Sequence, residues 1–303
     1  MEINYDSGRF LKSFLDERGL GMRKKYGQNF LVNRQIRERL VEALGAAPGE
    51  EVWEPGPGLG AMTALLLDRG LKVRAFEIDP GFQAVLGECF GANENFSLVK
   101  GDVLKTWPAA SPAPLLLGNL PYTVGAVLLG NLIEGGRLFR RMVVTVQRET
   151  ADRMIALPGS AAWSSLSVLC GSVYRARPLL SIHRSSFYPA PHVDSRAVLL
   201  ELLDGAPSFP PLFYPLVRAL FSSRRKMIKN TLSDFVSSRI IRGTGQEESG
   251  RRALAAAGLK GGERPDNLGV KEFLALAEAL DGVEFREFPA GRNFLGDDDV
   301  DSR

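Results

Sequence analysis

EVWEPGPGLGAMTALLL, residues 51–67, runs from a short apolar strand candidate through a glycine-rich bend into an apolar helix. Gly56, Gly58 and Gly60 allow a tight turn and a close approach of the backbone to a ligand, and Glu54 stands just before them. Downstream, short apolar runs alternate with amphipathic stretches: KVRAFEID (72–79), FSLVKGD (96–102), PLLLGN (114–119) and RMVVTVQ (141–147), with helices starting near Gly60, Pro80, Val124 and Arg148. That alternation predicts a doubly wound α/β domain built on a parallel sheet. One more helix is expected over 161–172. Two strands then follow in RARPLLSIHRSSFYP (175–189) and SRAVLLELL (195–203), too close together for a crossover helix and therefore antiparallel neighbours.

At 303 residues the chain is long enough for one large domain and a smaller one. Hydrophobic residues make up 45% and charged residues 24%, a composition that argues against disorder. DGAPSFPP (204–211) has the composition of a linker, and beyond it 212–236, 247–259 and 269–280 carry apolar residues at helical spacing. The expected organisation is an α/β domain over 1–204, a helical domain over 205–283 and a polar tail over 284–303. The N-terminal MEINYDSGRF lacks a basic patch followed by an apolar stretch, and no run reaches bilayer length, so a cytoplasmic protein without membrane association is expected. Cys89, Cys170, His183 and His192 show no metal-ligand spacing, so neither a disulfide nor a metal site is expected.

The formal net charge of +3 is small, but the cations are clustered. Arg23-Lys24-Lys25 precedes the first long helix candidate, and Arg137, Arg140 and Arg141 follow another. RALFSSRRKMIKN (218–230) packs Arg218, Arg224, Arg225, Lys226 and Lys229 into one short window that reads as helical. Together these clusters point to an anionic partner.

The strand ends carry the chemistry. Glu77 of FEID falls where a carboxylate takes up ribose hydroxyls, which leaves a nicotinamide-dependent dehydrogenase open on the bend and Glu77 alone. Asp102 of KGDV can accept from an adenine amino group, and NLPY (119–122) closes the fourth strand, so four strand ends share the edge where open α/β sheets bind ligands. KKYGQNFL (24–31) precedes the first strand, where a dinucleotide fold would begin with the strand itself. Gln28 and Asn29 can close over the amino-acid end of S-adenosylmethionine.

GQNFL (27–31), EPGPGLGAMT (54–63), FEID (76–79), GDV (101–103), NLPY (119–122) and SSFYPAPHVDS (185–195) stand in the order and spacing of the ribosomal RNA adenine dimethyltransferases. The chain resembles that family over roughly residues 20–285, and PHVDS and RPDNLGVKEFL look most like its bacterial small-subunit branch. The resemblance implies a Rossmann-like class I methyltransferase domain with a mixed sheet, plus a small C-terminal helical domain. It implies a monomer that uses S-adenosyl-L-methionine to dimethylate the N6 amino groups of two adjacent adenosines near the 3′ end of small-subunit rRNA, within a pre-ribosomal small subunit. It further implies that Asn29 and Leu31 meet the methionine end, that Gly56 and Gly58 lie against the cofactor, and that Glu77 and Asp102 hold ribose and adenine. Asn119 then stands between cofactor and target base, with Tyr122 and Phe187 stacking on the flipped adenine. The chain departs from the family pattern at Pro55, at Thr123-Val124-Gly125 and at Trp163-Ser164; none of these removes a group with a proposed role.

An adenine exocyclic nitrogen is a poor nucleophile because its lone pair is delocalised into the ring. The Asn119 side-chain oxygen and the Leu120 carbonyl, accepting from that amino group, favour a pyramidal nitrogen with its lone pair aimed at the methyl. Pro121 biases Leu120 toward an extended backbone and so holds that carbonyl outward. The base must leave its stack to arrive there, and aromatic faces replace part of the lost stacking. Arg224, Arg225, Lys226 and Lys229 are the expected RNA-binding cations. The readings set against this one are a large-subunit rRNA dimethyltransferase of the antibiotic-resistance type, which shares the catalytic core, and a non-catalytic RNA-binding or ribosome-assembly factor.

Overall fold

The chain begins with α1 (Gly8–Glu17), N-capped by Ser7, then a two-residue strand β1 (Phe30–Leu31) and α2 (Arg34–Ala43), N-capped by Asn33. Next come β2 (Glu51–Pro55), α3 (Ala61–Asp68), β3 (Lys72–Glu77), α4 (Pro80–Phe90), β4 (Phe96–Lys100), α5 (Val103–Thr106), β5 (Leu115–Asn119), α6 (Gly125–Glu134), β6 (Arg141–Gln147) and α7 (Arg148–Met154). After α8 (Ser165–Val173) come β7 (Tyr174–Ile182), β8 (Phe187–Tyr188) and β9 (Ser195–Leu202); α9 (Phe213–Phe221), α10 (Ile228–Arg239), α11 (Gln246–Ala256) and α12 (Val270–Ala279) complete the order. This computed structural model describes residues 3–21, 27–205, 209–239 and 246–281. The basic run Arg23–Lys25 and the tail from Glu284 lie outside the described residues. No described helix is long and apolar enough to cross a membrane.

The main sheet has the order β4-β3-β2-β5-β6-β9-β7. β2 to β6 pair in parallel, and β9 runs antiparallel to β6 with Asn119's neighbour Thr145 opposite Ala197. Strands covered on both faces read as continuous apolar runs, and Leu115, Leu116 and Leu117 of β5 are indeed buried. The chain builds outward from β2 first to one side and then to the other. The crevice between the carboxyl ends of β2 and β5 is therefore the topological switch point, where such sheets take their ligands.

Two features differ from the sequence-based expectation. RARPLLSIHRSSFYP is not one strand: β7 ends at Ile182, a 3-10 turn occupies Arg184–Ser186, and β8 pairs with β1 in a separate two-stranded sheet that sets Phe30 opposite Tyr188 and Leu31 opposite Phe187. The folded chain also groups into two units, one of Met1–Ala151 and Arg175–Leu202, the other of Asp152–Tyr174 and Leu203 onward. The linker composition at 204–211 marks the second crossing between them, whereas the first crossing, near 151, carries no Pro or Gly signal. Within the second unit the Asp152–Tyr174 segment is tied down by Trp163, whose Nε1 donates to the Leu268 carbonyl at 3.0 Å, and by the Gly159 N–H, which donates to the Asp266 carbonyl at 2.7 Å.

The N-terminal segment is fastened beside the switch point. Leu11, Phe14 and Leu15 of α1 pack on Leu59, Phe82 and Val85, and the Tyr5 hydroxyl donates to the Leu59 carbonyl at 3.0 Å. Arg37 of α2, only 3% exposed, donates to the Leu31 carbonyl at 2.7 Å, to the Tyr5 carbonyl at 3.1 Å and to the Asp6 carboxylate. Removing it leaves two inward-facing carbonyls and a carboxylate without their donor. Arg37→Leu should therefore lower stability by roughly 2 to 4 kcal/mol, read as a shift in the urea midpoint at unchanged slope. Limited proteolysis should then cut ahead of residue 20 first; an unshifted midpoint would mean that α1 is held by its apolar face alone.

Candidate active site

A cavity of about 300 Å³ opens at the switch point, a volume at the lower end of small-molecule sites. Its walls are the turns after β2, β3, β4 and β5, together with Gly27–Leu31 and Phe187. Gln28, Asn29, Leu31, Gly56, Gly58, Glu77, Asp102, Asn119, Leu120, Tyr122 and Phe187 all line it.

The floor is the glycine bend. Gly56 and Gly58 have φ of 67° and 61°, a region that side-chain-bearing residues rarely adopt, and a Cβ on Gly58 would meet the Phe30 ring at 3.1 Å. The bend thus keeps backbone N–H groups facing the cavity's acidic wall. The Gly58 N–H donates to Glu77 Oε2 at 3.2 Å and the Asp79 N–H to Glu77 Oε1 at 2.8 Å. These bonds fix the carboxylate while each oxygen keeps a lone pair for another donor.

Asp79, which the sequence reading passed over, N-caps α4 through Oδ1 on the Gly81 N–H at 2.8 Å and receives the Gln28 side chain on Oδ2 at 3.2 Å. Gln28 therefore closes the cavity by gripping the sheet edge. Asp102 N-caps the short α5 through Oδ1, accepting from the Leu104 N–H at 3.0 Å, and its Oδ2 has no protein donor among the described residues.

Two carboxyls here are strongly perturbed. Burial pushes Glu77 up to about 7, against the backbone N–H groups of Asp79 and Gly58, which pull it down. Burial likewise pushes Glu54 up to about 7; its Oε2 accepts from the Thr63 hydroxyl at 2.6 Å, while its Oε1 is buried with no partner among the described residues. Glu77 lines the cavity and Glu54 is buried outside its lining, so one low-solvation carboxyl faces a site that favours hydroxyls or a cation. Among the described residues no group of three His, Cys, Asp or Glu side chains is placed to hold a metal ion.

The opposite wall is uncharged. Asn119 Nδ2 donates to the Asn29 main-chain carbonyl at 2.9 Å. Because a carbonyl can only accept, this bond settles which end of the amide is which, and Oδ1 is left as an acceptor with no protein donor among the described residues. The Leu120 N–H donates to the Thr145 carbonyl at 3.0 Å, whereas its own carbonyl accepts nothing among the described residues. Tyr122 is half-buried in the turn that follows, its hydroxyl 2.9 Å from Ser195 Oγ, and burial pushes that hydroxyl above the ordinary phenol range. Phe187 is 5% exposed and belongs both to the core and to the cavity wall. Ser195 escaped the sequence reading although it ends the quoted SSFYPAPHVDS, because nothing in the string reveals its tie to Tyr122.

The basic clusters divide. Arg140 pairs with Glu50 at 2.9 Å, Arg141 with Glu201 at 2.7 Å, and the Arg137 guanidinium stacks over Trp53 and Trp107, so that cluster braces the fold. The expected basic helix over 218–229 is broken. α9 ends at Phe221, Ser222–Met227 form turns closed by Arg224 N–H to Phe221 O and Lys226 N–H to Ser223 O, and the Ile228 N–H reaches Glu263 O instead of continuing the helix. Arg225, Lys226 and Lys229 are exposed, and none has an ion-pair partner among the described residues. Arg224 lies 3.9 Å from Asp266 and donates to the Ala161 carbonyl at 3.5 Å.

The chain is similar to known proteins. The sequence profile of the ribosomal RNA adenine dimethylase family matches residues 19–247. The "Ribosomal RNA small subunit methyltransferase A" of Treponema denticola is 40% identical over 285 residues, 91% of this chain and 96% of that protein. The protein of the same name from Treponema pallidum is 42% identical over 283 residues, 91% of this chain and 97% of that one. Among solved structures, a dimethyladenosine transferase from Plasmodium falciparum shares the fold with a TM-score of 0.72 at 24% identity, over 84% of this chain and 98% of that chain. The 23S rRNA methyltransferase ErmE matches with a TM-score of 0.57 at 27% identity, over 83% of this chain and 99% of that chain. With its glycine bend, acidic wall and Asn119–Tyr122 turn, and with the family profile spanning both units, the chain belongs to the ribosomal RNA adenine dimethylase family.

Proposed function

We propose that the protein is an S-adenosylmethionine-dependent methyltransferase that dimethylates N6 of two adjacent adenosines near the 3′ end of small-subunit rRNA, within a pre-ribosomal small subunit. The observation that carries the reading is the Asn119 amide, whose nitrogen is committed to the Asn29 carbonyl and whose oxygen is left to accept beside a free Leu120 carbonyl. A site built to hold an amine needs two acceptors and a flat apolar clamp; Tyr122 and Phe187 supply the clamp.

The residues fit the cofactor. Glu77 retains acceptor capacity for ribose hydroxyls, Asp102 Oδ2 for an adenine amino group, and the positive-φ glycines leave room where any Cβ would intrude. Asn29 and Leu31, which line the same cavity, would hold the methionine end. When bound, S-adenosylmethionine supplies an electrophilic methyl on a good leaving group. The chain's own task is then alignment. Asn119 Oδ1 and the Leu120 carbonyl draw the amino hydrogens to one side and turn the lone pair outward, and in-line positioning of this kind is worth about 7 to 11 kcal/mol in well-oriented reactions. The small-subunit relatives support small-subunit RNA as the substrate, and the exposed Arg225, Lys226 and Lys229 suit a phosphate backbone. Mass spectrometry of both ribosomal RNAs after incubation with labelled cofactor tests the reading. Label in large-subunit RNA alone, or binding of immature small subunits without cofactor binding, would overturn it.

Asn119→Ala should reduce methyl transfer by on the order of 100-fold to 1,000-fold, as loss of one preorganised transition-state contact does, while calorimetry finds cofactor affinity changed by no more than a few-fold. Full turnover in that variant would end the proposed mechanism.

The carboxyls predict a pH effect of definite sign. With folded values of about 7 against 4.5 unfolded, Glu54 and Glu77 bind protons in the folded state that the unfolded chain releases. Stability of the free protein should therefore be greatest in the acid part of that window and fall as pH rises through 7. Ribose hydroxyls and a sulfonium favour the ionised form of Glu77, the one of the two that lines the cavity, so the rise in melting temperature caused by saturating S-adenosylmethionine should be larger at pH 8 than at pH 6. Equal shifts at both pH values would show that neither carboxyl is linked to the cofactor.

The broken helix refines the RNA prediction. Arg225→Ala with Lys226→Ala should weaken RNA binding and flatten the slope of log affinity against log salt by about 1.5, with no loss of melting temperature. Arg224→Ala, which also frees Asp266, should lower the melting temperature as well.

A further inference from the structure

We propose that Ser195 is a positioning residue whose hydroxyl fixes the direction of the Tyr122 side chain, and so the place of its ring, against the target base; the proposal rests on the reading of Tyr122 as that base's platform. Tyr122 Oη and Ser195 Oγ lie 2.9 Å apart. Ser195 is 1% exposed, opens β9 and sits opposite Gln147 in the β6–β9 ladder. β6 in turn lies beside β5, with Thr145 opposite Asn119. The hydroxyl that holds Tyr122 and the amide that receives the amine are thus set by one sheet, and their spacing does not depend on the intervening loop.

The other end of Tyr122 is held by its own turn. The Val124 and Gly125 N–H groups donate to the Pro121 carbonyl at 2.9 and 3.0 Å. A tyrosine held only at its backbone can swing between χ1 rotamers, whereas one whose Oη is also tethered keeps the long axis of its ring, and so the place of the ring, fixed. The segment leading into Ser195 is closed as well. Asp194 Oδ1 accepts from the Arg184 N–H at 2.9 Å, and its carbonyl accepts from the Arg148 N–H at 3.1 Å. Phe187 and the anchor of Tyr122 are therefore the two ends of one closed loop, which couples the two aromatic faces.

Ser195→Ala and Tyr122→Phe each remove one partner of the same hydrogen bond. Each should lower kcat for methyl transfer to small-subunit RNA about threefold to tenfold, with S-adenosylmethionine affinity by calorimetry unchanged, and the double variant should be no slower than the slower single one. A purely structural serine would move the melting temperature and leave kcat alone. Full kcat in either single variant, multiplicative losses in the double, or a change confined to cofactor affinity would overturn the proposal. Tyr122→Ala separates this inference from the reading beneath it. Wild-type kcat there removes the platform itself, whereas a loss beyond 100-fold alongside unchanged Ser195→Ala and Tyr122→Phe keeps the platform and removes only the role of Ser195.

Discussion

The hydrogen bond from Asn119 Nδ2 to the Asn29 carbonyl is the constraint on which the site depends. An amide at a cavity wall can present either end, and the two ends ask for opposite partners. Here the choice is made by a main-chain oxygen 90 residues earlier, which is in turn held in place from both sides. Phe30 and Leu31 pair with β8, and the Arg37 guanidinium grips the Leu31 carbonyl. The buried arginine, the two-residue sheet and the amide form one chain of support. The N-terminal segment is accordingly part of the frame of the site.

The two walls of the cavity follow different physical rules. On the β2–β3 side, carboxyls sit where burial opposes ionisation, and backbone N–H groups offset part of that cost. On the β5 side no charge is used: an amide oxygen, a carbonyl and two aromatic faces make up the surface. Hydroxyls or a cation gain most at the first wall and a neutral planar amine at the second. The topological switch point brings the walls together because β2 and β5 are neighbours in the sheet although β3 and β4 intervene in the chain.

The parallel sheet and the chemistry at its strand ends were legible because both leave marks in a short window. A buried strand such as PLLLGN is apolar throughout, and glycine, carboxylate and amide follow at fixed positions. What was not legible depends on distant partners. β1 and β8 are two residues each, too short for any period, and exist because Leu31 and Phe187 share a core. The broken segment at 222–227 carries helix-compatible residues, and the bond that takes the Ile228 N–H out of the ladder goes to a carbonyl far along the chain, that of Glu263. The grouping of Asp152–Tyr174 with the helical unit rests in the same way on distant partners, the indole bond to Leu268 and the Gly159 N–H bond to Asp266 among them. Arg137, Arg140 and Arg141 looked like an anion patch in sequence because their acidic and aromatic partners lie far along the chain.

This separation also decides where pH can act. An amide oxygen and a peptide carbonyl do not titrate in the accessible range, and burial moves the Tyr122 hydroxyl further from neutrality. Glu54 and Glu77, in contrast, are brought to about 7 by the same burial that shapes the cavity. Protonation near neutrality therefore changes the acidic wall and leaves the uncharged wall as it was. A site arranged this way confines its sensitivity to pH to the acidic wall. Its acceptors also suit two successive transfers. On the function proposed above, the unmodified amine offers two N–H groups to Asn119 and Leu120; after one transfer and release of a proton to solvent a single N–H remains, which either acceptor can hold without any change in the charge of the wall.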